Sequence, residues 1–204
     1  MTILLIRHGE TPLNVARVLQ PADTPLSTRG IEQARALARR LADLNVSAIL
    51  ASDLPRARHT AELIAAATGA TIESTELLRE RNFGDWRGLA YDALPVNPLQ
   101  MVAAPPAGES AADFEARVAR AFALVIQHAA TRRESLAVVT HGLVIRVLLA
   151  SHIRLPAGVE PPEHLGNTSL SVFDARAPHL ASLVNCTQHL NAATHDDPHA
   201  LSGG

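Results

Sequence analysis

The chain has one cysteine, Cys186, among its 204 residues. That excludes an internal disulfide and any metal cage built on cysteines. Cys186 reads as a small buried thiol in an apolar stretch, and nothing points to an oxidising compartment. Lysine is missing altogether: all 18 basic residues are arginine, a bias from which no functional conclusion follows. Strong net charge is missing too. At −2, with a pI near 6.5, the chain has no overall pull toward nucleic acid or an anionic membrane, so any anion it binds must be held locally. Long apolar runs are also lacking. Ile3–Ile6 is far shorter than a signal-peptide core, and no later stretch approaches the ~18 uninterrupted apolar residues of a membrane span. The expectation is a cytoplasmic protein with neither nucleic-acid nor membrane partners.

What is present is 47% hydrophobic and 19% charged residues, the balance of a globular protein long enough for one sizeable core. One domain is expected over residues 1–188. A polar tail, "HLNAATHDDPHALSGG", follows over 189–204 and is expected to be mobile. Its His189, His195, Asp196, Asp197 and His199 read as a solvated tail rather than a metal site, because metal ligands need rigid support behind them.

The periodicities predict strands alternating with helices. Thr2–Ile6 is a short buried strand closed by a turn signal. From Thr28, the apolar positions Ile31, Ala34, Leu37, Ala38, Leu41 and Leu44 follow helical spacing, and Asn45 ends the helix. Val46–Leu50 is a second strand, and Pro55 opens a helix through about Thr68. Between Tyr91 and Gly108, Pro95, Pro98, Pro105 and Pro106 break the pattern, leaving a short helix inside a long excursion. Ser110 and Asp113 mark a helix start, with Phe114, Val118, Phe122, Val125 and Ile126 on its buried face. Leu136–Thr140 is a third strand and Leu143–Ala150 a helix buried on most sides. Ser169–Phe173 and Leu180–Val184 close the chain as strands, the second at an edge. Strands alternating with helices argue for an α/β sandwich with a mainly parallel sheet, whose ligands gather at the carboxyl ends of the strands. His8 follows the first strand, Ser52–Arg56 the second and His141 the third, so three polar clusters converge on one rim.

Five blocks, "LIRHGETPLN", "SDLPRARHTAE", "LRERNFGDWRGL", "GESAADFEARV" and "VVTHGLVIRVLL", lie in order between residues 2 and 185. Together they resemble the histidine phosphatase superfamily, the phosphoglycerate mutase-like proteins. The resemblance implies a three-layer α/β/α sandwich. It also implies a phosphohistidine mechanism with His8 as nucleophile, Glu80 as general acid and His141 as a second catalytic histidine. Arg7 and Arg56 would grip the phosphoryl oxygens, as bidentate guanidiniums can at any working pH. The amides at the helix start, Gly142 among them, would favour the same anion. His8 must keep one ring nitrogen free, so the other should donate to a backbone carbonyl near Gly9, where the glycine permits a tight turn. Asn14 would contact substrate. Thr11 either faces the pocket or caps a helix. Arg58 and His59 lie either on the pocket rim or on a solvated helix face. Phe83 and Trp86 should pack the loop carrying Glu80, and Glu109 and Ser110 should organise a helix start. Taken without its block, Glu80 between Arg79 and Arg81 reads as a surface ion pair.

No metal or other cofactor is implied. The expected partners are a small-molecule phosphate ester and inorganic phosphate as product. The segment from Glu80 to His141 is too short for the enclosing insert of the family's mutases, which favours hydrolysis. α-Ribazole phosphate phosphatases are one candidate type. The alternatives are a cofactor-dependent phosphoglycerate mutase and a non-catalytic phosphate-binding module. Two positions depart from the family pattern: Pro21, where glycine is common, and Arg87, where glutamate is common.

Overall fold

The computed structural model describes residues 1–94, 96–98 and 100–195. Pro95 and the tail residues Asp196, Asp197 and His199 lie outside the described residues.

The first strand, β1 (Thr2–Arg7), carries consecutive apolar residues because both its faces are buried. Ile3 and Leu5 enter one core, and Leu4 and Ile6 enter another on the opposite face. A one-turn helix, α1 (Pro12–Val15), follows; Thr11 and Asn14 form a reciprocal capping box and proline starts the turn. Ser27 caps α2 (Thr28–Leu41) through Gly30 N. The helix stops short of Asn45, and Leu44, counted above as a core position, is exposed. Asn45 instead sits at φ 48° in the turn leading to β2 (Val46–Ser52). α3 (Pro55–Thr68) has the predicted bounds and ends on Gly69 at φ 74°.

β3 (Thr71–Thr75) was not expected. It is almost wholly exposed, so its side chains carry no burial pattern. The excursion after it holds three short 3-10 turns, Glu76–Leu78, Gly84–Trp86 and Tyr91–Ala93. α4 (Ala111–Ala130) starts at Ser110, whose side chain accepts from Asp113 N. β4 (Ser135–Thr140), α5 (Gly142–Ser151), β5 (Leu170–Asp174) and β6 (Ala181–Cys186) complete the chain.

The six strands form one sheet in the order β3-β2-β4-β1-β5-β6. The first four run parallel, and β5 and β6 join antiparallel. One core packs α4 and α5 on the sheet through Phe114, Val118, Val144 and Leu148. The other packs α2 and α3 through Leu37, Leu41, Ala57 and Ile64. The result is the three-layer α/β/α sandwich. Because β2, β4 and β1 are neighbours pointing the same way, their carboxyl ends share one rim. Among the described residues no helix is long and apolar enough to cross a membrane.

The first residues of the expected tail are seated on the body. Leu190 is buried, Gln33 Nε2 donates to the Thr194 carbonyl at 3.0 Å, and His189 Nε2 lies 3.0 Å from Thr168 Oγ1.

Candidate active site

His8 begins where β1 ends. Its amide donates to the Thr140 carbonyl on β4 at 3.0 Å. Its carbonyl accepts from Thr168 N at 3.2 Å and Asn167 Nδ2 at 3.1 Å. The backbone is thus held from both sides, and the ring is held as well. Nδ1 lies 2.7 Å from the Gly9 carbonyl. A carbonyl can only accept, so Nδ1 carries the proton and Nε2 keeps its lone pair. Gly9 is needed for a different reason from the expected one. It is not at positive φ; a Cβ there would come within 2.5 Å of the Gly30 carbonyl. Gly30 in turn leaves no room for a Cβ against the Glu10 carbonyl. The two glycines let the His8 loop lie directly on the start of α2. Thr60 then links this loop to α3: it accepts from Gly9 N at 3.1 Å and donates to the Arg56 carbonyl at 2.8 Å.

His141 is the N-cap residue of α5, and its ring meets that of His8 edge-on with centroids 5.1 Å apart. Its Nε2 lies 2.8 Å from Ser52 Oγ, while its buried Nδ1 has no hydrogen-bond partner among the described residues. Arg7 and Arg56 are buried beside the rings. Arg7 Nη1 donates to the Leu165 carbonyl. Arg56 reaches only the Pro21 carbonyl, at 3.4 Å, and its buried Nε has no partner among the described residues. Burial, then Arg56 and Arg7, hold the His8 imidazole well below its ordinary pKa. Burial likewise holds His141 well below, with help from Arg56, His8 and Arg7. Both rings are therefore neutral near pH 7. Burial lowers even the Arg56 guanidinium to about 10; Glu80 opposes this, while Arg87 and Arg7 add to it.

Glu80 is not a surface ion pair. Its carboxylate accepts from Arg81 N at 3.1 Å and from Leu143 N, in the first turn of α5, at 3.0 Å. The helix-start amide of Leu143 thus serves Glu80. Its neighbours are engaged elsewhere. Arg79 forms a two-pronged contact with Asp53 and also reaches Glu76. Arg81 donates to the carbonyls of Glu109, Met101 and Ala103. Phe83 is buried and Trp86 packs against the same core.

Arg117 lies in the block "GESAADFEARV", outside the residues expected to form the site. It pairs with Glu109 through Nε and Nη2 and clamps the carbonyls of Leu77, Arg79 and Glu80. Two turns of helix after the Glu109–Ser110 start, it was the available signal for what holds Glu80 in place. Ser52, Thr60 and Asn167 were also missed as partners, because each meets its histidine or loop only across the fold.

The remaining expected residues are placed as follows. Thr11 is a capping residue: its amide donates to Asn14 Oδ1 at 3.0 Å, and its Oγ1 accepts from Asn14 N at 3.1 Å. Asn14 is buried with that oxygen committed to Thr11. Gly142 opens α5 next to Leu143. Arg58 does not join the cluster. It lies on the exposed face of α3, where Nε donates to Glu62 at 3.0 Å. That is the ordinary i, i+4 geometry of a solvated helix.

Known proteins resemble this chain in sequence and fold. A relative named "Probable phosphoglycerate mutase GpmB", from Yersinia pestis, is 36% identical over 193 residues, covering 89% of each chain. The crystal structure of the alpha-ribazole phosphatase from Shigella flexneri superposes with a TM-score of 0.77 at 30% identity, over 93% of this chain and 97% of that one. A mycobacterial glucosyl-3-phosphoglycerate phosphatase gives 0.73 at 29% identity, over 91% and 98%. Fold and relatives define an enzyme of the phosphoryl-transfer kind. More specifically, residues 3–185 match the model of the histidine phosphatase superfamily, branch 1, and the chain belongs to that family.

Proposed function

We propose that the protein is a phosphomonoester hydrolase acting on a small phosphorylated metabolite, without a metal. The observation that carries this reading is the geometry at His8. A neutral ring with its proton locked onto Gly9 O leaves Nε2 as a nucleophile, among two buried arginines and a second histidine. A phosphate dianion entering there meets Arg7 and Arg56 as counter-charges. The Gly142 amide and His141 Nδ1 add neutral donors, provided the Ser52 hydroxyl donates to His141 Nε2.

In the first step His8 Nε2 attacks phosphorus and the ester P–O bond breaks. Glu80, entering as the carboxylic acid, gives its proton to the leaving oxygen. In the second step the Glu80 carboxylate takes a proton from water. The hydroxide attacks phosphorus, the P–N bond breaks, and inorganic phosphate leaves with His8 neutral again. Residues 1–188 form the catalytic unit in this reading, with cytoplasmic metabolites as substrates. Asn14 and Thr11 shape the wall of the His8 loop.

The name carried by the GpmB relatives favours a second reading, a cofactor-dependent phosphoglycerate mutase. Assay separates them. A hydrolase releases phosphate from p-nitrophenyl phosphate with EDTA present, whereas a mutase isomerises 3-phosphoglycerate after priming with the bisphosphate. Strong inhibition by EDTA, or absence of phosphate release from any phosphomonoester, overturns the hydrolase reading. A module that only binds phosphate does neither reaction.

A further inference from the structure

The peptide unit between Gly9 and Glu10 is held at both ends. Its oxygen accepts the His8 Nδ1 proton at 2.7 Å, and its N–H donates to Gln33 Oε1 at 2.8 Å. Gln33 lies on α2 and is fully buried. Its other end, Nε2, donates to the Thr194 carbonyl at 3.0 Å. These neighbours fix the orientation of the carboxamide, because a peptide N–H can only donate and a carbonyl can only accept. A line of hydrogen bonds therefore runs from the C-terminal segment, through one carboxamide and one peptide, to the His8 ring. A peptide whose N–H donates has a more negative carbonyl oxygen, so each link strengthens the next.

The same segment reaches the His8 main chain. Thr168, at φ 55°, gives its amide to the His8 carbonyl at 3.2 Å. Its hydroxyl donates to the Asn167 carbonyl at 2.6 Å and so accepts from His189 Nε2 at 3.0 Å. Arg40 Nη1, a donor 3.5 Å from His189 Nδ1, agrees with that tautomer. Buried Leu190 anchors the segment, and Asn191 Oδ1 folds residues 191–195 into a turn by accepting from Ala193 N and Thr194 N.

In-line attack needs Nε2 aimed at phosphorus, and an imidazole keeps its aim only while its other nitrogen and its backbone are pinned. We propose that residues 189–195 brace the nucleophile from outside the 1–188 unit, with Gln33 and His189 as positioning residues that fix the aim of His8 Nε2. The segment touches no reacting atom in this assignment; it sets the ring and the loop that do. The assignment rests on the hydrolase reading for the role of His8.

Two readouts on the full chain keep the two readings apart. The first is the kinetics of p-nitrophenyl phosphate hydrolysis. Gln33→Met keeps the side-chain length and removes both hydrogen bonds. Its kcat should fall about tenfold or more with KM within about twofold, since a misaimed nucleophile costs rate rather than ground-state binding. His189→Ala should lower kcat about threefold or more, and His189→Gln, whose amide can donate to the Thr168 hydroxyl, should recover most of that loss. The second readout is nitrogen NMR of isotope-labelled histidine rings, with His8 assigned by its absence in His8→Asn. In Gln33→Met and His189→Ala the His8 resonances should shift, which a loss of stability alone does not cause. Wild-type kcat in either variant, a loss carried by KM instead of kcat, or unmoved His8 resonances overturns the proposal. Should Gln33→Met fail to fold, His189→Ala decides by the same criteria, since His189 is only partly buried. If no phosphomonoester is hydrolysed, the hydrolase reading falls, and the His8 resonances alone decide whether the brace stands.

Discussion

Arg117 and Arg56 are deeply seated arginines on helices at opposite faces of the sheet, and their surroundings contrast. Arg117 has an acceptor for every donor: both Glu109 oxygens and three main-chain carbonyls. Arg56 has one long contact to Pro21 O, a buried unpartnered Nε, and no carboxylate in ion-pair range among the described residues. The first arrangement is how a buried charge contributes to holding a fold. The second is costly to the folded protein and is relieved by an incoming anion. Buried charge serves structure where its partners are internal, and serves binding where they are absent.

The contrast can be broken most severely at the ring the Arg56 cluster surrounds. His8→Ala removes the attacking nitrogen, and turnover of p-nitrophenyl phosphate should fall at least ~100-fold with folding intact. Residual activity above about one per cent of wild type would sink His8 as nucleophile. The two arginines should then separate in opposite senses. Arg117→Ala strands Glu109 and frees the carbonyls that position Glu80. Urea denaturation should report a loss of about 2–4 kcal/mol, less than for a fully dry pair because both partners keep some solvent contact. Arg56→Met should leave stability unchanged or raise it by ~1 kcal/mol while activity drops ~100-fold or more. Equal destabilisation by both substitutions would erase the distinction.

Ligand linkage sharpens it further. Vanadate at about 100 times its dissociation constant should stabilise the wild type by ~2.7 kcal/mol and Arg56→Met by much less, read as the shift in the urea midpoint. A pH series probes the neutral rings. The folded pKa values of His8 and His141 lie well below 6.5, so the unfolded chain binds protons below pH 6.5 that the folded one does not. Stability should fall as pH drops through that range, by up to about 1.4 kcal/mol per pH unit for each ring. His8→Asn and His141→Asn should each flatten the slope by about one proton, and an unchanged slope would contradict the burial argument. The smallest effect belongs to Arg58→Ala, where loss of the exposed pair with Glu62 should cost under ~0.5 kcal/mol.

Legibility followed burial. β1, β4 and α3 were readable because their apolar runs or proline start are local signals. β3 was not, since an exposed edge strand of polar residues pairs through its backbone and leaves no pattern in its side chains. His8 stood out at a strand end, and its Nδ1 contact to a nearby carbonyl followed from the chemistry required of it. Glu80 was recognisable only through its block, because its flanking arginines suggested a surface pair. In the fold those arginines turn to Asp53 and to the 101–109 segment. Gly9 was noticed for the wrong reason, as its requirement comes from contact with Gly30 on another element.

The sequence by itself determined the buried strands and the longer helices, and which groups capable of phosphate chemistry stand at their ends. Those are properties of neighbouring residues: side-chain period, backbone preference and ionisable type. Only the tertiary structure decided that β4 lies between β1 and β2. That order sets His141 against both His8 and Ser52, the latter 89 positions away, and lets Glu80 accept from Leu143 N across 63 positions. Burying both faces of one sheet brings those ends together, and the pocket's neutral imidazoles and unpaired guanidinium exist only once that burial has removed water.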